Sequence, residues 1–259
     1  MTIEIQAPYR LLLAQSPQQV MALQTYIQAA YTLEFNARIP HFLPCLLGLY
    51  RADGTLVGAC GLNHASEGPL YLEQYLDHPI EVAIETRLGA PARRNRIVEV
   101  GNLACSEPGN ARLMFAALCR LLCDNDLDYV VFTGTARLRN SFHRLHLTPV
   151  ELAPAQADKV GDDASAWGAY YHCQPKVMVG DINQGREVLA QNRPDAQLAE
   201  RRVVATVEAD DVVPALDHEG PGKNQGRHPG VIEGLAEIPI GHLPLGGGHE
   251  AVGKIGVGD

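Results

Sequence analysis

Where the aromatic residues stop sets the first limit on this chain. Every Phe, Tyr and Trp of the 259 residues lies before residue 190, and so does every Cys. From Ala190 to Asp259 there are 11 acidic and 6 basic residues, and from His218 onward the segment is dense in Gly, Pro and His, as in residues 220–224 and Gly246-Gly247-Gly248. A stretch without aromatic anchors and rich in turn formers cannot bury enough surface to offset its ordering entropy. The expected organisation is therefore one folded domain over residues 1–189 and a disordered tail over 190–259. The tail histidines His218, His228, His242 and His249 are unevenly spaced with no Cys beside them, so they read as solvated loop positions rather than a metal tract.

The rest of the composition excludes several function classes. Hydrophobic residues make up 46% and charged residues 20%, as in a soluble globular protein. The formal net charge is -9 with no long basic run, which argues against a nucleic-acid partner and against a basic amphipathic membrane binder. No apolar run approaches the roughly 20 residues of a membrane-spanning helix. Met1 to Arg10 carries Glu4 and a single Arg, unlike a secretory signal. Six irregularly spaced cysteines do not make a disulfide framework and read as reduced thiols of a cytoplasmic protein. Cys119 and Cys123, four apart on an apolar helix face, read as core thiols.

The local pattern predicts a helix opening at Ser16-Pro17-Gln18-Gln19, with a capping box from Ser16 and Gln19 and one face formed by Val20, Leu23, Ile27 and Tyr31. Cys45–Tyr50 and Leu56–Leu62, joined by Ala52-Asp53-Gly54, predict a hairpin. A strand over 96–105, a helix over about 111–123, a buried strand over 129–135, a short helix marked by Leu138, Phe142 and Leu145, and strands over 148–152 and 175–179 follow. Hairpin first and β-α-β later is an α/β chain of the α+β kind, with a mixed sheet and helices on both faces.

Chemistry concentrates in Ile97-Val98-Glu99-Val100-Gly101-Asn102-Leu103-Ala104. A glycine between a carboxylate and an amide in an apolar strand suggests a bulge. A bulge frees N–H groups and opens a slot, which Glu99 and Asn102 are expected to face and where freed N–H groups polarise a carbonyl. The strand runs through Ser106-Glu107-Pro108-Gly109-Asn110-Ala111-Arg112 into a helix, a junction that suits phosphate, with Arg112 adding a charged contact, Glu107 of the wrong sign, and Pro108 lacking a donor. Glu73 and Tyr75 in Tyr71-Leu72-Glu73-Gln74-Tyr75-Leu76 are candidate pocket residues, equally readable as a strand rim. Arg139 and Asn140 follow the buried strand, where open α/β sheets bind ligands. Trp167-Gly168-Ala169-Tyr170-Tyr171 reads as packing, with Tyr171 a candidate proton donor. Cys105 has no neighbouring His to activate it, and neither G-x-S-x-G, H-E-x-x-H nor a Walker loop occurs.

Leu72-Glu73-Gln74-Tyr75-Leu76, Pro79-Ile80-Glu81, the strand from Ile97 to Ala104, Phe132-Thr133-Gly134-Thr135, Leu138-Arg139-Asn140-Ser141-Phe142 and Trp167-Gly168-Ala169-Tyr170-Tyr171 resemble the thermostable hemolysin family, from about Arg10 to Gly180. That family is similar in turn to the GNAT acyltransferases and the acyl-homoserine-lactone autoinducer synthases. The resemblance implies a GNAT-like fold whose central mixed sheet is splayed between its fourth and fifth strands, with an acyl thioester in the gap. It implies a donor site of Leu103, Gly109, Ala111, Arg112 and Asn140, with Gly109, Ala111 and Arg112 at the phosphate and Asn140 lining the donor side, although Ser106 stands where the GNAT pattern carries Arg or Gln. The co-substrate is then acyl-CoA or an acyl carrier protein, with no tightly bound cofactor and no metal. Glu99 carries over as base or amine binder, and Glu73, Tyr75 and Arg139 as substrate-binding residues. The implied reaction is direct acyl transfer to a small-molecule amine, with Asn102 beside the thioester carbonyl and Tyr171 protonating the thiolate. Two alternatives stay open: a membrane-active toxin, as the family name implies, and a non-catalytic ligand-binding module on the same scaffold.

Overall fold

The computed structural model describes residues 9–191. The expected tail, its four histidines included, lies outside the described residues except for its first two residues, 190 and 191.

The elements run β1 (Arg10–Leu13), α1 (Pro17–Phe35), β2 (Cys45–Tyr50), β3 (Leu56–His64), α2 (Ile80–Leu88), β4 (Ile97–Cys105), α3 (Pro108–Asp124), β5 (Tyr129–Gly134), α4 (Ala136–Arg144), β6 (Val150–Pro154), β7 (Lys176–Asp181) and α5 (Ile182–Gln191). Single 3-10 turns lie at Tyr71–Tyr75 and along 157–173. Helix α1 starts as its sequence predicts. Gln19 N–H donates to Ser16 Oγ at 3.2 Å, and Ser16 N–H donates to Gln19 Oε1 at 3.1 Å. It stops at Asn36, whose left-handed φ of 51° closes the last turn. In the β2–β3 turn Asp53 accepts the Thr55 N–H at 2.9 Å, an Asx turn that lets Gly54 take φ 83°. Strand β1, helix α2 and helix α5 escaped the sequence pattern. The first is four residues long, and the helices carry only nine and ten, too few for a clear period.

The seven strands form one sheet in the order β1-β2-β3-β4-β5-β7-β6. Every neighbouring pair is antiparallel except β4 with β5. Two hydrophobic clusters cover its faces. One holds Leu23 and Ile27 of α1, Ile80 and Ile84 of α2, and Trp167 and Tyr170. The other holds Met114, Leu118 and Leu122 of α3 and Ile182 of α5, with Phe142 of α4 stacked near Phe115 and Phe132.

The segment 157–173 is pinned to the end of α1. Arg38 N–H donates to Ala166 O at 2.7 Å, and Ala169 N–H to Phe35 O at 2.8 Å. Gly168 permits this approach: its φ is +53°, and a Cβ there would run into the carbonyls of Phe35 and Asn36.

Candidate active site

The parallel pair β4–β5 holds only three residue pairs, Ile97–Tyr129, Val98–Val130 and Glu99–Val131. Strand β4 continues six residues beyond Glu99 and β5 three beyond Val131, without pairing to one another. The closed end is fastened by Arg96, whose Nε and Nη2 donate to the two oxygens of Asp128 at 2.6 and 2.9 Å, and by Asp128 N–H to Arg96 O at 2.9 Å. On the other edge of β4, Ala104 opposes Ala59 and Gly101 opposes Gly61. Asn102 and Leu103 therefore stand against Cys60 alone, a bulge.

The bulge lies one residue later than the sequence suggests. Gly101 has ordinary negative φ, and the left-handed residue is Asn102, at φ 51°. Glycine at 101 serves close approach instead: an added Cβ would lie 2.9 Å from Leu43 Cδ1. Gly101→Ala is expected to cost about 1–2 kcal/mol, because the flexible Leu43 must yield; urea denaturation measures it. The Asn102 side chain does not face the gap. Its Oδ1 accepts the Leu43 N–H at 2.8 Å, and its Nδ2 donates to His41 O at 3.3 Å. Asn102 ties the α1–β2 loop to the bulge and presents only main chain to the opening.

Where the strands part, a cavity of about 900 Å³ passes through the sheet. On the α1 side it is lined by Tyr31, Phe35 and Tyr170; at the gap by residues 100–106 and Thr133; on the other face by Phe115, Cys119, Phe142 and Gly185. Gly109, Ala111 and Arg112 line it at the start of α3, as the sequence places them. Within that turn Asn110 N–H and Ala111 N–H already donate to Glu107 O at 3.1 and 3.4 Å, and buried Asn110 donates from Nδ2 to Ser106 Oγ at 3.0 Å.

Glu99 is 4% exposed and sits at the root of the gap, though not on the cavity wall. Its two oxygens accept the N–H groups of Tyr71 (2.8 Å) and Leu72 (3.1 Å). Burial pushes its carboxyl up to about 7. The two N–H bonds oppose that rise, and the nearby Glu73 charge adds to it.

Five expected site residues stand off the cavity wall. Glu73 receives a bidentate pair from Arg94 at 2.7 and 2.7 Å, plus the N–H groups of Leu70 (2.7 Å) and Ile80 (2.8 Å). Burial disfavours its charge, but Arg94 and the two N–H groups outweigh this and hold the carboxyl at about 2. Its acceptors are engaged in joining the 71–75 turn to α2, which leaves none for a substrate. Arg139 donates to Gly134 O at 2.7 Å and Gln174 O at 3.3 Å, bracing the end of β5. Asn140 is exposed on α4, outside the cavity. With Leu138, Phe142 and Leu145 facing inward, 100° per residue turns Asn140 to the opposite side and brings Arg137 and Ser141 to the rim instead. Tyr75 and Tyr171 bond to one another through their hydroxyls at 2.8 Å, and neither lines the cavity. Burial pushes Tyr171 up to about 12 and Tyr75 further. Two tyrosines, Tyr31 and Tyr170, do line the wall, and the Tyr170 hydroxyl reaches the gap, donating to Thr133 O at 3.5 Å.

The sequence reading also missed Glu34 and Arg137. They meet at 2.6 Å across the cavity rim and join α1 to α4. A helical wheel of α4 would have found Arg137, whereas Glu34 carries no local signal. Burial raises the thiols of Cys105 and Cys119 to about 12, as for inert core thiols. Among the described residues, no group of three or more His, Cys, Asp or Glu is placed to hold a metal ion. Nor is any helix among them long and apolar enough to cross a membrane.

A mixed sheet parted between its fourth and fifth strands, with a bulge at the gap and a helix opening beside it, is the GNAT-like fold. The chain belongs to the thermostable hemolysin family, which it matches over residues 13–186. Its fold is similar to that of FeeM, an N-acyl amino acid synthase from uncultured soil microbes, at 16% identity and TM-score 0.52, over 72% of this chain and 99% of that one. The acyl-homoserine-lactone synthases LasI (12% identity, TM-score 0.48, 71% of this chain and 94% of that one) and BjaI, solved with SAM and isopentyl-CoA (16%, 0.48, 71% and 88%), are also similar. No curated protein sequence is significantly similar to the chain.

Proposed function

We propose that this protein transfers an acyl group from a pantetheine thioester, carried by CoA or by an acyl carrier protein, to a small-molecule amine. The observation that supports it best is the opening of the sheet where β4 and β5 part, continuous with a largely apolar cavity beside the start of α3. In this reading the thioester lies at the bulge, and main-chain N–H groups of Asn102 and Leu103 polarise its carbonyl. The phosphate of the arm rests near Gly109, Ala111 and Arg112. The amine attacks directly. Glu99, with a carboxyl near neutrality, accepts its proton through a bridging water. Tyr170, rather than Tyr171, supplies a proton to the leaving thiolate; burial keeps its hydroxyl protonated. The reaction so written needs no metal and no tightly held cofactor.

Thiol release tests the proposal. Acyl-CoA or acyl carrier protein mixed with an amine pool is expected to liberate thiol only with enzyme and amine together. One observation favours a second reading: neither Glu99 nor Tyr171 lies on the cavity wall, as in a module that binds an acyl ligand without turning it over. Ligand binding with no thiol release across donors and amines would establish that reading instead. A membrane-active role has a separate assay, dye release from liposomes by protein free of small molecules; the acyltransferase reading expects none.

A further inference from the structure

The cavity extends well past the point where the proposed chemistry occurs. From the gap it continues beneath α3, α4 and α5 on the second face of the sheet, following β5 from Thr133 back to Val130 and ending among Leu122, Leu147, Gly185 and Val188. An acetyl group would leave this arm empty. Its walls are Phe115, Leu118, Cys119 and Phe142, and burial holds the thiol of Cys119 in its neutral form. Such a lining, mostly apolar with the polar residues His146, Asp181 and Gln184 among it, suits a hydrocarbon.

The far end depends on a glycine. Gly185 lies inside α5, where glycine weakens a helix relative to alanine, so the helix itself gives no reason for it. Packing would admit an alanine: a Cβ at 185 would sit at ordinary contact distances, 3.5 Å from Cys119 Sγ and 3.8 Å from Leu147 Cδ2. A larger side chain would have only the end of the arm to enter, which Gly185 and Cys119 line from opposite helices.

We propose that this arm binds the acyl chain of a medium-chain donor, and that Gly185 with Cys119 opposite sets the longest chain accepted. The proposal rests on the acyl-transfer reading for the identity of the donor and not for the binding itself. Along β5 the arm covers Thr133 to Val130, roughly 10 Å over four residues. An extended alkyl chain advances about 1.3 Å per carbon, from bonds of about 1.5 Å, so roughly eight carbons fill this stretch before the chain reaches the end at Gly185.

The test is direct binding of acyl thioesters of N-acetylcysteamine, from four to sixteen carbons, to the full chain by calorimetry. Affinity is expected to rise about fourfold per added methylene and to level off once the chain passes roughly eight carbons and meets Gly185. In Gly185→Leu the plateau should move several carbons shorter, with the four-carbon probe bound as in the wild type. Cys119→Phe narrows the same end from the opposite wall and should do likewise, so the test survives if one variant does not fold. Gly185→Ala, whose Cβ makes only ordinary contacts, should raise Tm and shorten the plateau slightly. Affinity independent of chain length, or a plateau that neither variant moves, overturns the proposal. Length-dependent binding without thiol release for any amine would leave the acyl arm standing and remove the transferase reading.

Discussion

Glu99→Gln is expected to lower kcat/KM for thiol release by about 10²–10⁴-fold, the usual contribution of a positioned base. It is also expected to abolish the rise in rate predicted for the wild type as pH increases through 7, where the raised carboxyl ionises. The same substitution has a signature in stability that needs no substrate. The folded-state pKa lies near 7 against an ordinary value of 4.5. Between those values the folded chain keeps a proton that the unfolded chain has lost, so stability falls as pH rises and is flat again above 7. Over that window the fall is about 3 kcal/mol. Glutamine has no such slope. It carries a different, pH-independent cost, because its NH2 group meets one of the two backbone donors, Tyr71 or Leu72 N–H, that Glu99 now satisfies. Leaving that donor unsatisfied costs about 1–3 kcal/mol. The variant is therefore expected to be less stable than the wild type at pH 5 and to draw level by pH 8. Urea denaturation at the two pH values gives the difference, in which the other titrating groups cancel. Parallel curves would remove the buried-carboxyl account, and unchanged turnover would remove Glu99 from the mechanism.

Arg94→Ala is expected to destabilise the fold by about 3 kcal/mol or more. Arg94 gives its guanidinium to both oxygens of Glu73, to Glu81 at 2.8 Å and to Gly68 O at 2.8 Å. Its loss strands a carboxylate that is only 14% exposed. Removing one partner of such a pair leaves an uncompensated charge, which is far costlier than the pair is stabilising. The sign of the pH effect is opposite to that at Glu99. Glu73 is held near 2, below its ordinary 4.5, so the wild-type pair contributes above about 4.5 and loses its contribution as pH falls towards 2. Wild type and variant should converge at acid pH and separate at neutral pH. Thermal unfolding at pH 3 and pH 7 checks both the size and the direction. Because the 71–75 turn also supplies the N–H groups that hold Glu99, turnover should fall with stability. Arg94→Lys, which keeps the charge but not the fork, should recover part of each.

How much of this was legible in the sequence depended on whether the signal was local. The cap of α1 was, because Ser16 and Gln19 satisfy one another within a single turn. The parted strand was legible from Glu99, Gly101 and Asn102, but not which of them bends the chain. Gly101 answers to Leu43, 58 positions away, and the left-handed conformation belongs to Asn102. Glu73 looked like a pocket residue because a carboxylate between two tyrosines carries no sign that Arg94 will claim it. Tyr75 and Tyr171, 96 positions apart, could not be paired by any local pattern. Asn140 could have been placed correctly, since the apolar face of its own helix already assigns it to the opposite side. Gly185 could not, because its place at the end of the cavity is set by Cys119 and Leu147, distant in sequence.

The fastening of β4 to β5 by Arg96 and Asp128 has a mechanical consequence. The two strands resemble tongs pinned at one end: the segment from Glu99 to Cys105 is a lever of about 20 Å, so a rotation of about 5° at the pin opens the tips by roughly 2 Å. The width available to a ligand is thus governed from the end of the sheet it never touches.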